Sequence, residues 1–283
     1  RLLATIASRV AVASLMGATA RCDGSRMSAP APERGVAIVT GGSRGIGAAC
    51  ARGLAARGYG VVIAYRSDAE AADGVRASIA ADGGRAVVVQ ADVASEPDVV
   101  RMFEVADTAF GSSRLEVVVN NAGVLGPRGN LEEVGKPELL NEVLATNVCG
   151  PMLCCREAER RMSTKRGGGG GSIVQVSSGS AYIGNPLLYS ASKGALNSLT
   201  IGLVRPLAEA GIRINTVSPG MTATDMTSET AKTFDFTQIP LGRMGTADEI
   251  AQVICWLCSD EASYVAGANI RAAGGRPPGT TLG

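Results

Sequence analysis

The sequence predicts an α/β fold: one mostly parallel sheet, doubly wound, with helices on both faces. Three observations predict it. Short β-branched runs alternate with longer Ala-rich amphipathic ones from Val36 onward. The short runs are apolar at successive positions rather than alternate ones, as in strands covered on both faces. The first run, Val36-Ala37-Ile38-Val39, feeds Thr40-Gly41-Gly42-Ser43-Arg44-Gly45-Ile46-Gly47 and then a helical stretch over 48–56. A buried strand, a glycine turn and a helix N-terminus in that order make a phosphate-binding device. The glycines admit a pyrophosphate to the backbone, and the unpaired N–H groups and helix dipole favour its charge. The spacing is G-x-x-x-G-x-G, not the commoner G-x-G-x-x-G.

Seven strands follow from the apolar runs at 36–40, 61–65, 86–90, 117–120, 172–177, 212–217 and 268–271. Helices fill the intervals. Their starts are marked by Ser67-Asp68-Ala69-Glu70 and Thr246-Ala247-Asp248-Glu249, read as capping boxes, and by Ser95 before Glu96-Pro97. The segment Tyr189-Ser190-Ala191-Ser192-Lys193 begins a helical run that continues from Ala195 to Glu209. Gly167 to Gly171 reads as a flexible surface link with no chemistry.

Composition narrows the function. The chain has 283 residues with 27 basic and 26 acidic side chains, so no net field favours nucleic acid or an acidic membrane. No apolar run approaches the roughly 20 residues needed to span a bilayer. Histidine is absent, which removes Ser-His-Asp hydrolysis, the usual zinc sites and His general bases together. No metal is expected. The single C-x-x-C, Cys255 to Cys258, lies in an apolar helical run and reads as buried thiols. The odd cysteine count, seven, suits a reducing compartment.

Residues 1–35 differ from the rest: Arg1, Arg9 and Arg21 precede the first acid, Asp23, among Ala and Ser. Three readings stand: a mitochondrial or plastid transit peptide, a short secretory signal, or an extension upstream of a true start at Met27. The fold is assigned to 36–283, and the location is cytoplasmic unless a transit peptide directs the chain to an organelle.

Tyr189 and Lys193 are four apart and share one helix face. A phenol titrates near 10, and an ammonium close by would draw that toward working pH. In chain order stand Thr40–Gly47, Asp92-Val93, Asn120-Asn121-Ala122-Gly123, Asn147, Ser177-Ser178, Tyr189/Lys193 and Ser218-Pro219-Gly220. This series resembles the classical short-chain dehydrogenase/reductase family from Val36 to the C-terminus. Its pattern is most like 3-oxoacyl-carrier-protein reductases and related sugar or alcohol dehydrogenases.

The resemblance implies a single Rossmann domain that interconverts a carbonyl and a secondary alcohol with a nicotinamide dinucleotide. It implies Tyr189 as the acid, and Lys193 as the group that tunes it and holds the ribose. It implies a serine on the reacting oxygen, Ser178 in preference to Ser177 or Ser180, and Asn147 anchoring a proton-relay water. The coenzyme would meet Gly41, Ser43, Arg44, Gly45, Ile46 and Gly47, then Asp92, Val93, Asn120, Ala122 and Gly123. Pro219, Gly220 and Thr222 would follow, with Thr222 on the carboxamide. Residues 221–244 would form the lid over the substrate, and two-fold contacts would build a homotetramer. The Ser178–Tyr189 interval of eleven residues is shorter than is usual in the family.

The second strand ends Val61-Val62-Ile63-Ala64-Tyr65-Arg66, without the acid that binds a ribose 2′-OH. Arg66 and Arg44 instead suit a 2′-phosphate, favouring NADP(H) over NAD(H). Docking of an acyl carrier protein is doubtful, because the helix after the Tyr–Lys pair ends Ala208-Glu209-Ala210-Gly211. Lys165 and Arg166 could contribute to it. The rivals are a non-catalytic dinucleotide sensor and a nucleotide-sugar epimerase; the first lacks the Tyr–Lys pair, and the second needs a longer C-terminal part.

Overall fold

Successive apolar residues in the strands serve two cores, one on each face of the sheet. The computed structural model describes residues 33–279, so most of the 1–35 extension lies outside the described residues. The first half runs β1 (Val36–Thr40), α1 (Gly45–Ala55), β2 (Gly60–Tyr65), α2 (Ala69–Ala81), β3 (Arg85–Gln90), α3 (Glu96–Thr108) and β4 (Leu115–Asn120). The second runs α4 (Leu131–Val134), α5 (Pro137–Leu144), α6 (Gly150–Met162), β5 (Gly171–Val176), α7 (Leu187–Ala208) and β6 (Ile212–Pro219). It closes with α8 (Ser228–Ala231), α9 (Ala247–Cys258) and β7 (Asn269–Ala272).

The strand order is β3-β2-β1-β4-β5-β6-β7, and every neighbouring pair is parallel. Ala37, Val39, Val61, Ile63, Val117 and Val119 pack with α1, α2 and α9. Val36, Ile38, Val62, Ala64, Val118 and Ile173 pack with α3, α6 and the end of α7. Connections from β1 and β4 leave in opposite directions, which opens a crevice at their carboxyl ends.

Local chemistry sets the helix ends. Thr246 closes a capping box: its hydroxyl accepts from Glu249 N at 3.2 Å, and Glu249 accepts from Thr246 N at 2.8 Å. At α2 the cap is Asp68, not Ser67, and its carboxylate accepts from Ala71 N at 3.0 Å. Ser95 occupies the cap position of α3 without a side-chain bond, and Pro97 in the first turn fixes the backbone there. Helix α7 begins at Leu187, two residues before Tyr189, so Tyr189 and Lys193 lie in its first two turns.

The 167–171 glycines are more than a flexible link. A Cβ on Gly170 would stand 2.4 Å from Gly211 O, and one on Gly171 would stand 2.2 Å from Glu116 O. Close backbone approach, not flexibility, calls for glycine at these two positions. Cys255 and Cys258 are buried free thiols, and burial pushes both thiols up. Among the described residues no helix is long and apolar enough to cross a membrane.

Candidate active site

A cleft of about 1040 Å³ lies along the carboxyl ends of the strands. Its floor at one end is the glycine turn. Gly41 and Gly45 adopt φ of 62° and 52°, a region open to glycine with little strain. Gly47 is required for packing instead: a Cβ there would stand 2.2 Å from Gly41 O and 2.5 Å from Asn121 Nδ2. That Asn121 amide donates to Thr40 O at 2.9 Å and Gly41 O at 3.0 Å. Thr40 Oγ1 in turn accepts from Asn121 N and Ala122 N, each at 3.0 Å. The turn is thereby locked to the end of β4. Arg44, at the cap position of α1, is extended and makes no side-chain cap. The first N–H groups of α1 thus have no side-chain partner, an arrangement that fits a phosphate.

Most of the residues predicted for a dinucleotide line this cleft: Gly41, Ser43, Arg44, Gly45 and Ile46 at the turn, and Arg66 beyond β2. Asp92 and Val93 follow β3, Ala122 and Gly123 follow β4, and Pro219, Gly220 and Thr222 follow β6. Asp92 is fixed by its own backbone, its N–H donating to Asp98 Oδ2 and its Oδ1 accepting from Ala94 N, both at 3.0 Å. Asp68 also faces the cleft, but its carboxylate is committed to the helix cap. Thr222 is buried, and its hydroxyl donates to Gly220 O at 3.0 Å.

Asn120, expected on the wall beside the ribose, is placed elsewhere. It is the last residue of β4, and its side chain is buried with Nδ2 directed at Cys155 Sγ, 3.8 Å away. Alternation along the strand turns that side chain inward, and Asn121 faces the cleft in its stead. Asn121 was not singled out from the sequence. Asn147 is also fully buried and does not line the cleft. It sits in a single π-helical turn, Ala145–Cys149, between α5 and α6. Its Nδ2 donates to Val124 O at 2.9 Å and Ser192 Oγ at 3.0 Å, and its Oδ1 accepts from Val124 N at 2.9 Å. An amide oxygen has two lone pairs, so one acceptor position remains. Gly123 lies between Asn147 and Lys193: a Cβ there would be 3.3 Å from Asn147 Oδ1 and 3.4 Å from Lys193 Nζ.

At the centre of the cleft, Tyr189 is hydrogen-bonded to Ser178. The three candidate serines are not equivalent. Ser177 is spent on the helix, its hydroxyl donating to Lys193 O at 3.2 Å. Ser178 caps the turn Gly179–Tyr182, accepting from Ser180 N at 3.1 Å, and it is the serine that touches Tyr189. Lys193 Nζ donates to Val176 O at 2.8 Å and lies 5.6 Å from the Tyr189 ring centroid. Burial pulls its ammonium down to about 8. The tyrosine moves opposite to the expectation: burial raises its phenol above the ordinary 10, and the Ser178 bond pulls weakly the other way. The reason is geometric, since the lysine is bonded to a backbone carbonyl and not to the phenol oxygen.

The comparisons with known proteins agree with this geometry. A profile of the family described as "Enoyl-(Acyl carrier protein) reductase" matches residues 41–276. The chain belongs to the short-chain dehydrogenase/reductase family. Among relatives of this oxidoreductase, the uncharacterized oxidoreductase YgfF of Escherichia coli (strain K12) is 46% identical over 85% of the chain and 99% of its own length. The 3-oxoacyl-[acyl-carrier-protein] reductase FabG of Staphylococcus aureus is 38% identical over 84% of the chain and 96% of its own. A short chain dehydrogenase from Burkholderia cenocepacia J2315, solved in complex with NADP, superposes with a TM-score of 0.76. It is 34% identical, over 87% of this chain and 98% of that one.

Several residues of this dehydrogenase/reductase site were not anticipated from sequence. Arg128, Arg271 and Arg276 line the cleft from segments up to 148 positions apart in the chain, and the Arg271 guanidinium stacks on Tyr182. Helix α7 does carry an arginine in its last turn, Arg205, exposed and paired with Glu209 at 3.4 Å. Lys165 and Arg166 are paired with Glu209 and Glu159.

Proposed function

We propose that the protein is an NADP(H)-dependent reductase of carbonyl compounds, the reverse reaction being oxidation of a secondary alcohol. The observation that carries this reading is the Ser178–Tyr189 hydrogen bond beside buried Lys193, at the middle of a cleft whose other end holds Arg44 and Arg66. Two guanidinium groups suit the 2′-phosphate. The NADP held by the Burkholderia cenocepacia relative supports the same choice. The free first turn of α1 would hold the pyrophosphate. NADPH, when bound, supplies the hydride.

The protein's own residues manage the proton. Burial keeps the Tyr189 phenol protonated at neutral pH, the state an acid needs to protonate a carbonyl oxygen as charge develops there. Ser178 donates a second hydrogen bond to that oxygen and stabilises the same charge. Lys193, near 8, gains and loses a proton close to working pH. The free acceptor position on Asn147 would hold the water that links Lys193 to solvent. Thr222 closes the nicotinamide end. The substrate class includes 3-oxoacyl thioesters, as for the FabG relative, and sugars or small alcohols as the second choice. A homotetramer is part of the same reading, as is a catalytic domain over 36–283 preceded by an extension, 1–35, that is a transit peptide or lies upstream of the true start.

Tyr189→Phe tests it. Turnover, followed through NADPH absorbance over a panel of ketones, should fall about 10²–10⁴-fold, with NADPH affinity retained. A variant keeping more than a tenth of wild-type turnover removes Tyr189 from the reaction.

A further inference from the structure

We propose that the substrate half of the cleft is built for a carbonyl compound carrying an anionic group, a carboxylate or a phosphate, seated on Arg271. The proposal rests on the reductase reading above and names the substrate class that site takes. Arg271 stands in β7 beside Ser218 of β6, at the carboxyl end of the sheet, and lines the cleft. Its guanidinium lies 5.1 Å from the Tyr182 ring centroid, and Nη2 donates to Arg276 O at 2.6 Å. Nε is buried with no hydrogen-bond partner among the described residues. Tyr182 ends the turn that starts at Ser178, so the guanidinium is one short turn away from the serine that touches Tyr189.

Further guanidinium groups line the same cleft. Arg128, which donates to Thr230 Oγ1 at 2.6 Å, and Arg276 both line it. Arg128 and Arg271 meet neutral groups: a hydroxyl, a carbonyl and an aromatic ring. Asp235, a carboxylate that lines the cleft, accepts from Thr237 N at 3.0 Å and Thr237 Oγ1 at 2.7 Å. A stacked, half-buried guanidinium with an open N–H costs solvation that an oxyanion repays. Its planar fork matches a carboxylate or a phosphate in two parallel bonds.

The test compares kcat/KM, with NADPH, within matched pairs: 3-oxobutanoate against its methyl ester, 4-oxopentanoate against its methyl ester, and dihydroxyacetone phosphate against dihydroxyacetone. The anionic member of at least one pair should be preferred by about 10- to 100-fold. Whether a carboxylate or the phosphate pair shows it identifies the group. Arg271→Met should cut the anionic-to-neutral ratio at least tenfold, and Arg271→Lys should restore part of it. Equal values within every pair, or an unchanged ratio in Arg271→Met, overturns the proposal while turnover of neutral ketones leaves the reductase reading intact. Should nothing be reduced, the reductase reading fails, and melting temperatures decide the anion site separately. Millimolar 3-hydroxybutanoate or glycerol 3-phosphate should stabilise the wild type and not Arg271→Met; no stabilisation by either overturns the site.

Discussion

Replacing Lys193 by Met should make the folded protein more stable at neutral pH. The lysine is buried, at 3% exposure, and its pKa falls from 10.5 to about 8 in the fold. A group whose folded pKa lies below its unfolded one costs stability at every pH below the folded value, because the folded chain must carry a proton it disfavours. The cost is relieved as pH rises from about 8 toward 10.5, where the unfolded chain holds the proton and the folded chain does not. A shift of this size corresponds to about 3 kcal/mol. Against it stand the hydrogen bond to Val176 O and the contact with the Tyr189 ring, worth together about 1–2 kcal/mol. Methionine fills much the same volume with no charge. The net gain at pH 7 is about 1–2 kcal/mol, or about 2–8 °C in melting temperature for a chain of this size.

The assay is thermal unfolding of wild type and Lys193→Met at pH 7, 8.5 and 9.5. The buried thiols, whose pKa values are raised, and Tyr189 also destabilise the fold as pH climbs past their unfolded values. They are common to both proteins and cancel in the difference. The variant should melt higher at pH 7, and the gap should narrow by pH 9.5. A variant no more stable than wild type at pH 7, or a gap independent of pH, refutes the buried-charge argument.

Three further outcomes are expected. Gly47→Ala places a methyl group against Gly41 O and Asn121 Nδ2 and should cost about 2–4 kcal/mol and weaken coenzyme binding. The same change at Gly74 in α2, where nothing lies within 4 Å, should stabilise by about 0.5–1 kcal/mol; calorimetry showing equal signs would refute the packing account. Arg44→Ala with Arg66→Ala should lower NADPH affinity about 100-fold or more and NADH affinity far less; fluorescence titration showing equal losses would refute the 2′-phosphate assignment. Sedimentation equilibrium at micromolar concentration should give a homotetramer, since Leu187 and Ile201 of α7 are exposed at 50% and 71%; a single species at 28.7 kDa would exclude it.

The sheet was legible because its strands are buried on both faces, so that 61–65 or 117–119 reads apolar at every position. The ends were less so: β6 continues to Pro219 through Ser218, a polar residue whose hydroxyl donates to Asn269 Oδ1 at 2.8 Å. Ser190 and Ser192 lie inside α7, although serine favours caps and turns. In the structure the Ser192 hydroxyl bonds back to Tyr189 O at 2.7 Å inside the helix. The π turn at Ala145–Cys149 has no sequence signature distinct from the helices that flank it. Asn120 and Asn121 differ only in which way one strand residue points, and that depends on where β4 ends. The glycine turn, Tyr189 and Lys193 were legible because their chemistry lies within short segments. Arg128 and Arg271 were not, since only the crossover topology brings the β4 loop, β7 and the Ser178 turn to one end of the cleft.

The segment over that end is fastened unevenly, which bears on how a substrate enters. At its base, Ala223 N donates to Gly245 O and Gly245 N to Met221 O, both at 2.9 Å, so two backbone bonds pin residues 221–223 to 245. Nearer its tip the ties to the cleft's opposite wall are an Arg44–Asp225 pair at 4.0 Å and the Arg128–Thr230 bond. The Arg44 and Asp225 side chains are 65% and 78% exposed, and an exposed pair at that distance contributes at most about 1 kcal/mol. Residues 234–241 are held more firmly: Leu241 N donates to Gly274 O at 3.1 Å, Arg276 Nη2 donates to Gln238 Oε1 at 3.0 Å, and the Arg276 guanidinium lies 5.2 Å from the Phe234 ring centroid. In the proposed reductase, the part of the segment that could lift to let substrate in is therefore the short stretch around Asp225–Thr230, held to the opposite wall by the Arg44 and Arg128 ties.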